Sequence, residues 1–185
     1  MASLPNSKTV TYDAWLRMPE VSDAIEEVVN GEIRIMPPAE WKHFRIIELT
    51  SNALRRQLDN DRYSFATGSF GLIIRKAPLT SRIPDLAVFE LATLVEQDGY
   101  MHSAPQLVVE VLSPANRRRE REEKLADYAT IGVPEVWVIS PEARTVEVLY
   151  LEEGYLHSSH ILARGTLTPK LFPQVTVDIA SIWPD

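Results

Sequence analysis

Cysteine is absent from these 185 residues, which excludes disulfides, cysteine nucleophiles and thiolate zinc sites, and suits a reducing compartment. No apolar run approaches the roughly 18 residues needed to span a bilayer, and the opening MASLPNSKTVTYDAW lacks the apolar stretch of a signal peptide. The expectation is a cytoplasmic chain that does not enter the membrane. Positive charge is also scarce: 19 Lys and Arg face 26 Asp and Glu, for a net charge of -7. Such a protein does not coat nucleic acid by bulk charge, although a local basic patch can still meet a phosphate backbone. Repeats, low-complexity tracts and Gly/Ser/Pro-rich linkers are missing too. One domain over residues 1–185 follows, with 45% apolar content to build its core.

What is present reads as alternating helix and strand. A short helix is expected around residues 11–18. IEEVVNGEIRIMPP follows as two strands joined at Asn30-Gly31, a dipeptide favoured in a type I′ turn. Phe44, Ile47, Ser51, Leu54 and Leu58 recur at helical spacing, so residues 40–59 form an amphipathic helix with these on its apolar face. A strand pair within 62–76, strands at 84–90 and 105–113, a helix over 116–131 and a strand at 133–140 come next. Gly132 and Pro134 close that helix, and the strand after it returns parallel to the one before. TVEVLYLE and residues 155–162 make a last hairpin turned at Glu153-Gly154. The fold class is α/β, a mixed central β-sheet flanked by helices.

Within VVEVLSP, residues 108–114, Glu110 interrupts an apolar run. It is either a solvating charge on a half-exposed edge strand, or a buried carboxylate that needs a cation beside it. Asp85, directly after Pro84, stands at the entrance of the preceding strand. An Asp there usually caps a turn. If the two strands are neighbours, however, Asp85 and Glu110 come within one metal-binding distance, and two carboxylates with water and a substrate phosphate are a common way to hold Mg²⁺.

The pattern Pro84-Asp85 followed by Glu110 in an apolar strand resembles the PD-(D/E)XK nuclease superfamily. NGEIRIMPPAEWKH, RIPDLAVFE, PQLVVEVLSPANRRREREEKLADYATIGVPEVWVIS and PEARTVEV resemble, nearly motif for motif, the Uma-two-type family of restriction endonucleases, from about Ile25 to Leu151. The resemblance implies a restriction-endonuclease-like fold and hydrolysis of DNA phosphodiester bonds with Mg²⁺ or Mn²⁺. Asp85 and Glu110 would hold the metal, with Glu32 as a third acidic group. At Glu32 alone, a solvated hairpin charge is the other reading.

One departure matters: the lysine position of the superfamily signature falls on Leu112, which cannot orient or activate water. The family supplies the cation from the next helix, where Lys124 in EEKLADY matches. Taken by itself, Lys124 sits at the border of the apolar face of Leu125, Tyr128 and Ala129, and the helix alone favours a surface lysine paired with Glu120; the resemblance turns the reading to the site. His43, matching a family histidine after the hairpin, is a candidate contact to metal or phosphate, or a structural histidine at a helix start. Ser113 is a candidate near Glu110 or a helix cap.

Arg117, Arg118, Arg119 and Arg121 offer guanidinium forks to phosphate, while Glu120, Glu122 and Glu123 interleave with them and can neutralise them as a solvated face. A homodimer is expected by analogy with nucleases that cut two strands. The competing reading is a catalytically inactive nuclease fold that binds DNA or serves as a regulatory module. Glycoside hydrolysis fits less well, because no aromatic platform accompanies the carboxylates; the tryptophans at 15, 41, 137 and 183 are scattered as core or interface anchors.

Overall fold

A computed structural model describes residues 9–19, 25–36, 38–68, 70–113 and 118–184. Helix α1 (Tyr12–Trp15) leads to the hairpin β1 (Ile25–Val29) and β2 (Glu32–Met36). Asn30 and Gly31 take φ of 52° and 80° at its turn, the left-handed pair that a type I′ connection requires. Helix α2 (Trp41–Arg55) follows, then β3 (Tyr63–Thr67), β4 (Leu72–Lys76), β5 (Leu79–Arg82) and β6 (Leu86–Glu90). After β7 (Glu96–Gln97), β8 (Tyr100–Met101) and β9 (Leu107–Val111), helix α3 (Arg118–Thr130) crosses to β10 (Glu135–Ser140). The chain ends through β11 (Thr145–Glu152), β12 (Tyr155–Leu162), β13 (Thr166–Leu167) and β14 (Val177–Asp178).

The expected mixed sheet is there, in the order β12-β11-β10-β9-β6-β3, with β9 and β10 parallel and the remaining pairs antiparallel. Gly132 at φ 84° caps α3, with Gly132 N–H donating to Ala129 and Val133 N–H to Tyr128, which is the paired bonding of a Schellman end. Beside it lies a second six-stranded sheet, β2-β1-β5-β4-β8-β7, that the sequence reading lacks. The expected pairing within residues 62–76 is therefore corrected: β3 pairs with β6, and β4 pairs with β5 across a short turn. The reason lies in β5, whose Leu-Thr-Ser-Arg is buried throughout yet mostly polar, so it carries no apolar strand signal.

Strand alternation divides the core in two. Leu86, Val88, Leu107, Val109, Val111, Trp137 and Ile139 pack on one face against Ile46 and Leu54 of α2 and the C-terminal Phe172, Ile179 and Trp183. Ala87, Phe89, Val108, Val136 and Val138 pack on the other against Tyr128. A central strand covered on both faces must be apolar on both, which explains why β9 shows no clean alternation. On α2 the apolar stripe leaves the core one turn early: Ile46 is buried, whereas Phe44, expected inside, is half exposed.

The second sheet is tied to α3 by charge. Arg82 of β5 is fully buried; its Nε and Nη2 lie 2.7 Å from Asp127 Oδ2 on α3, and its Nη1 donates to Glu27 on β1 at 3.0 Å. Glu27 also accepts the Ile83 N–H at 3.0 Å and faces Lys124 Nζ at 3.1 Å. Breaking one partner out of a buried network leaves an uncompensated charge, so Arg82→Met is expected to cost about 3–5 kcal/mol by urea unfolding. Arg118→Ala, at the exposed pair with Glu122, should leave the midpoint where it is. Equal, small effects of the two substitutions would show the network to be energetically idle.

Candidate active site

Three segments meet at the end of β9. Pro84 holds the preceding residue extended and leads straight into β6, so Asp85 sits at the strand entrance. Ladder pairs run from Val88 with Leu107 to Leu86 with Val109, and one further step in that register sets Asp85 across from Glu110. Side chains opposed in this way are close neighbours. Asp85 Oδ2 accepts the Val111 N–H at 2.7 Å, and Oδ1 lies 3.1 Å from His43 Nε2 in the first turn of α2. The strand fixes one oxygen and the helix the other, and lone pairs remain on both.

Glu110 is only 7% exposed, on a central strand, so the edge-strand reading gives way to the buried one. Its Oε2 lies 3.1 Å from Lys124 Nζ, and Tyr128 OH donates to its Oε1. Lys124 and Tyr128 are four residues apart on α3 and so present one helical face to the carboxylate. The alternative of a surface lysine paired with Glu120 is not what forms, because Lys124 is buried between Glu110 and Glu27. Leu112, two residues after Glu110, lines a narrow pocket with Glu110, Lys124 and Arg121.

Burial dominates the electrostatics. Burial, aided by the charge of Asp85, pushes the Glu110 carboxyl up to about 7 against the opposing pull of Lys124 and the Tyr128 hydroxyl. Burial also works to discharge Lys124, but Glu110, Glu27 and Asp85 outweigh it and hold its ammonium protonated well above the ordinary range. Glu27 feels the same contest in mirror image: burial raises it, and Lys124 with Arg82 brings it below the usual carboxylate value. Burial lowers His43, but the hydrogen bond and charge of Asp85 leave it raised.

The cluster of Glu27, Asp85, Glu110 and Asp127 holds two more carboxylates than the fixed cations Arg82 and Lys124 can match. A divalent cation fits that surplus, and Asp85 and Glu110 are hard oxygen donors of the kind it takes. Among the described residues no group of three or more His, Cys, Asp or Glu side chains could hold a metal ion by itself. Asp85 and Glu110 could together hold a divalent cation that keeps several waters, but they do not make a closed cage.

The other expected residues divide. Glu32 is exposed at the start of β2, opposite Val29, and is not drawn into the cluster; the acidic group that the hairpin contributes is Glu27. The shift has a simple cause, since Glu27 points to α3 from the buried strand while Glu32 lies beside the turn. Arg121 reaches the pocket and pairs with Glu147, and its Nε is buried without a hydrogen-bond partner among the described residues. Arg119 is exposed and paired with Glu123, as the solvated-face reading anticipates. Arg117 lies outside the described residues. Ser113 is half-buried just past β9, and the segment joining it to α3 is likewise outside them. Glu27, Tyr128 and Arg82 were not among the expected site residues. A signal existed for Glu27, which breaks an apolar strand in the way Glu110 does.

Comparison with known proteins bears on the fold and the family. The fold is that of a solved structure titled as a putative nuclease belonging to DUF820 from Anabaena variabilis, with a TM-score of 0.76 at 20% identity over 94% of this chain and 97% of that one. Residues 12–180 match the model of the Uma2 family, described as "Putative restriction endonuclease", and the chain belongs to that family. No curated protein matches it. Among the described residues no helix is long and apolar enough to cross a membrane.

The raised Glu110 sets a sign for stability. Its carboxyl keeps its proton to about pH 7 when folded and to 4.5 when free, so its contribution is fully present below 4.5 and is lost as pH rises through 7. In metal-free buffer, Glu110→Gln should gain melting temperature relative to the parent between about pH 5 and pH 8. Parallel melting curves across that range would contradict a desolvated Glu110.

Proposed function

We propose that this chain is a Mg²⁺- or Mn²⁺-dependent endonuclease of the cytoplasm that hydrolyses DNA phosphodiester bonds and works as a homodimer. The observation that carries the reading is the cross-strand register of Asp85 and Glu110, with Lys124 hydrogen-bonded to the second carboxylate. Asp85 and Glu110 are the residues that would hold the ion. When bound, it would supply charge to neutralise the phosphate and to acidify a water.

The chain's own groups supply the rest. The Val111 N–H and His43 keep the Asp85 carboxylate aimed at the end of β9, so its orientation does not depend on substrate. Lys124, held protonated by its three carboxylate neighbours, acts as a donor that orients the attacking water or steadies a phosphate oxygen; it does not act as the base. Arg121, which lines the pocket with Glu110 and Lys124, would meet a phosphate oxygen with its guanidinium. The family description supplies DNA as the substrate. Two copies related by two-fold symmetry would bring two such centres to one DNA molecule.

Mg²⁺ or Mn²⁺ titrated into the parent protein should raise its melting temperature and allow nicking of plasmid DNA. Asp85→Ala should lose both while staying folded, and chelation should return the parent to its metal-free melting point. Lys124→Met should cut the cleavage rate on the order of 10²-fold or more, as removal of a charged donor does elsewhere. DNA binding without turnover, unchanged in Asp85→Ala, would instead identify an inactive binding module.

A further inference from the structure

The first turn of α2 carries an exposed feature that the reaction does not use. Trp41 is 74% exposed and Phe44 is 50% exposed, yet their rings stack on each other with centroids 5.7 Å apart and planes at 28°. The guanidinium of Arg45 lies 6.0 Å from the Trp41 ring and is itself held by Glu48. Between them in sequence stands His43, bonded to Asp85, so the open rings belong to the same helical turn as a contact of the candidate centre. The apolar stripe of the helix would place Phe44 in the core, but the core begins at Ile46 and leaves the pair to solvent.

Charge says what such a pair can hold. The chain's net charge of -7 gives little general attraction to a phosphate backbone, and the exposed Arg118 and Arg119 are each matched by a glutamate one turn on. A contact that does not depend on bulk charge would add affinity where general attraction is weak. A flat, exposed indole backed by a second ring and flanked by a guanidinium provides one, because every base has a face that stacks on an aromatic ring. In a closed duplex those faces are covered by neighbouring bases. We propose that Trp41, supported by Phe44, is a stacking platform for an unpaired nucleobase of the substrate strand, and that the protein favours single-stranded or locally unpaired DNA. The proposal rests on the nuclease reading of Asp85 and Glu110, which it deepens by naming the form of the substrate.

The tryptophans make the test direct. Trp137 and Trp183 are buried, and Trp15 is half-buried with its Nε1 bonded to Tyr100, so Trp41 is the open one of the four. Intrinsic fluorescence would be followed in EDTA while adding an oligothymidine strand, or the same strand annealed into a duplex. Quenching by the single strand is expected, with binding about tenfold or more weaker in Trp41→Ala, the range one stacked base is worth, and largely kept in Trp41→Phe. Equal binding of duplex and single strand, unchanged binding by Trp41→Ala, or quenching that grows with protein concentration without DNA would each overturn the platform. The last outcome would mean that a second copy covers the rings. Cleavage separates the two ideas. If Asp85→Ala cuts like the parent, the nuclease centre fails even where stacking holds; if Asp85→Ala is dead while Trp41→Ala binds and cuts normally, only the platform fails.

Discussion

Lys124 stands between Glu27 and Glu110, in a part of the protein from which water is almost excluded. Neither carboxylate could remain ionised there alone, and an ammonium there without them would discharge. The shared cation therefore sets where β1, β9 and α3 stand relative to one another. Arg82 extends the same logic outward by joining Glu27 to Asp127, so that the second sheet is fastened to the helix that brings Lys124 to the site. Buried ion pairs commonly contribute little net stability over apolar replacements.

That arrangement is also incomplete on its own terms. The carboxylates outnumber the fixed cations, and burial, with the charge of Asp85 added to it, raises the affinity of Glu110 for a proton. A proton and a divalent cation are alternative answers to the same local imbalance. Asp85, by contrast, has both oxygens oriented by the protein itself, one by the Val111 N–H and one by His43.

Much of the fold was legible from local signals. The Asn30-Gly31 turn, the capped helix before Gly132, the parallel return of VPEVWVIS and the hairpin at Glu153-Gly154 each depend on residues close together in the chain, and each appears. The second sheet was not legible, because β5 is polar, while β7 and β8 are two residues long and carry no period. At the site, Asp85 and Glu110 were named from their strand positions and Lys124 from the family resemblance, and the structure brings them together. Glu27 and Arg82 were missed because their importance lies in partners 97 and 55 residues distant by numbering, and periodicity shows only that a strand exists, not what waits on its far side. Phe44 was misassigned because helical spacing identifies a stripe without saying where the sheet beneath it ends.

The cation that accompanies the carboxylates comes from a helix, while Leu112, two residues after Glu110 and just past the end of β9, offers none. On a strand, the separation between such groups is dictated by the pleat and is nearly invariant. On α3 it depends on how the helix rests on Val108, Val136 and Val138 through Tyr128, and hence on side-chain volume in an apolar layer. A methyl group gained or lost in that layer would move the ammonium relative to both carboxylates without touching any charged residue. The hydrophobic spacer is thereby an adjustable part of the electrostatics, open to gradual tuning where a strand-borne lysine would be fixed.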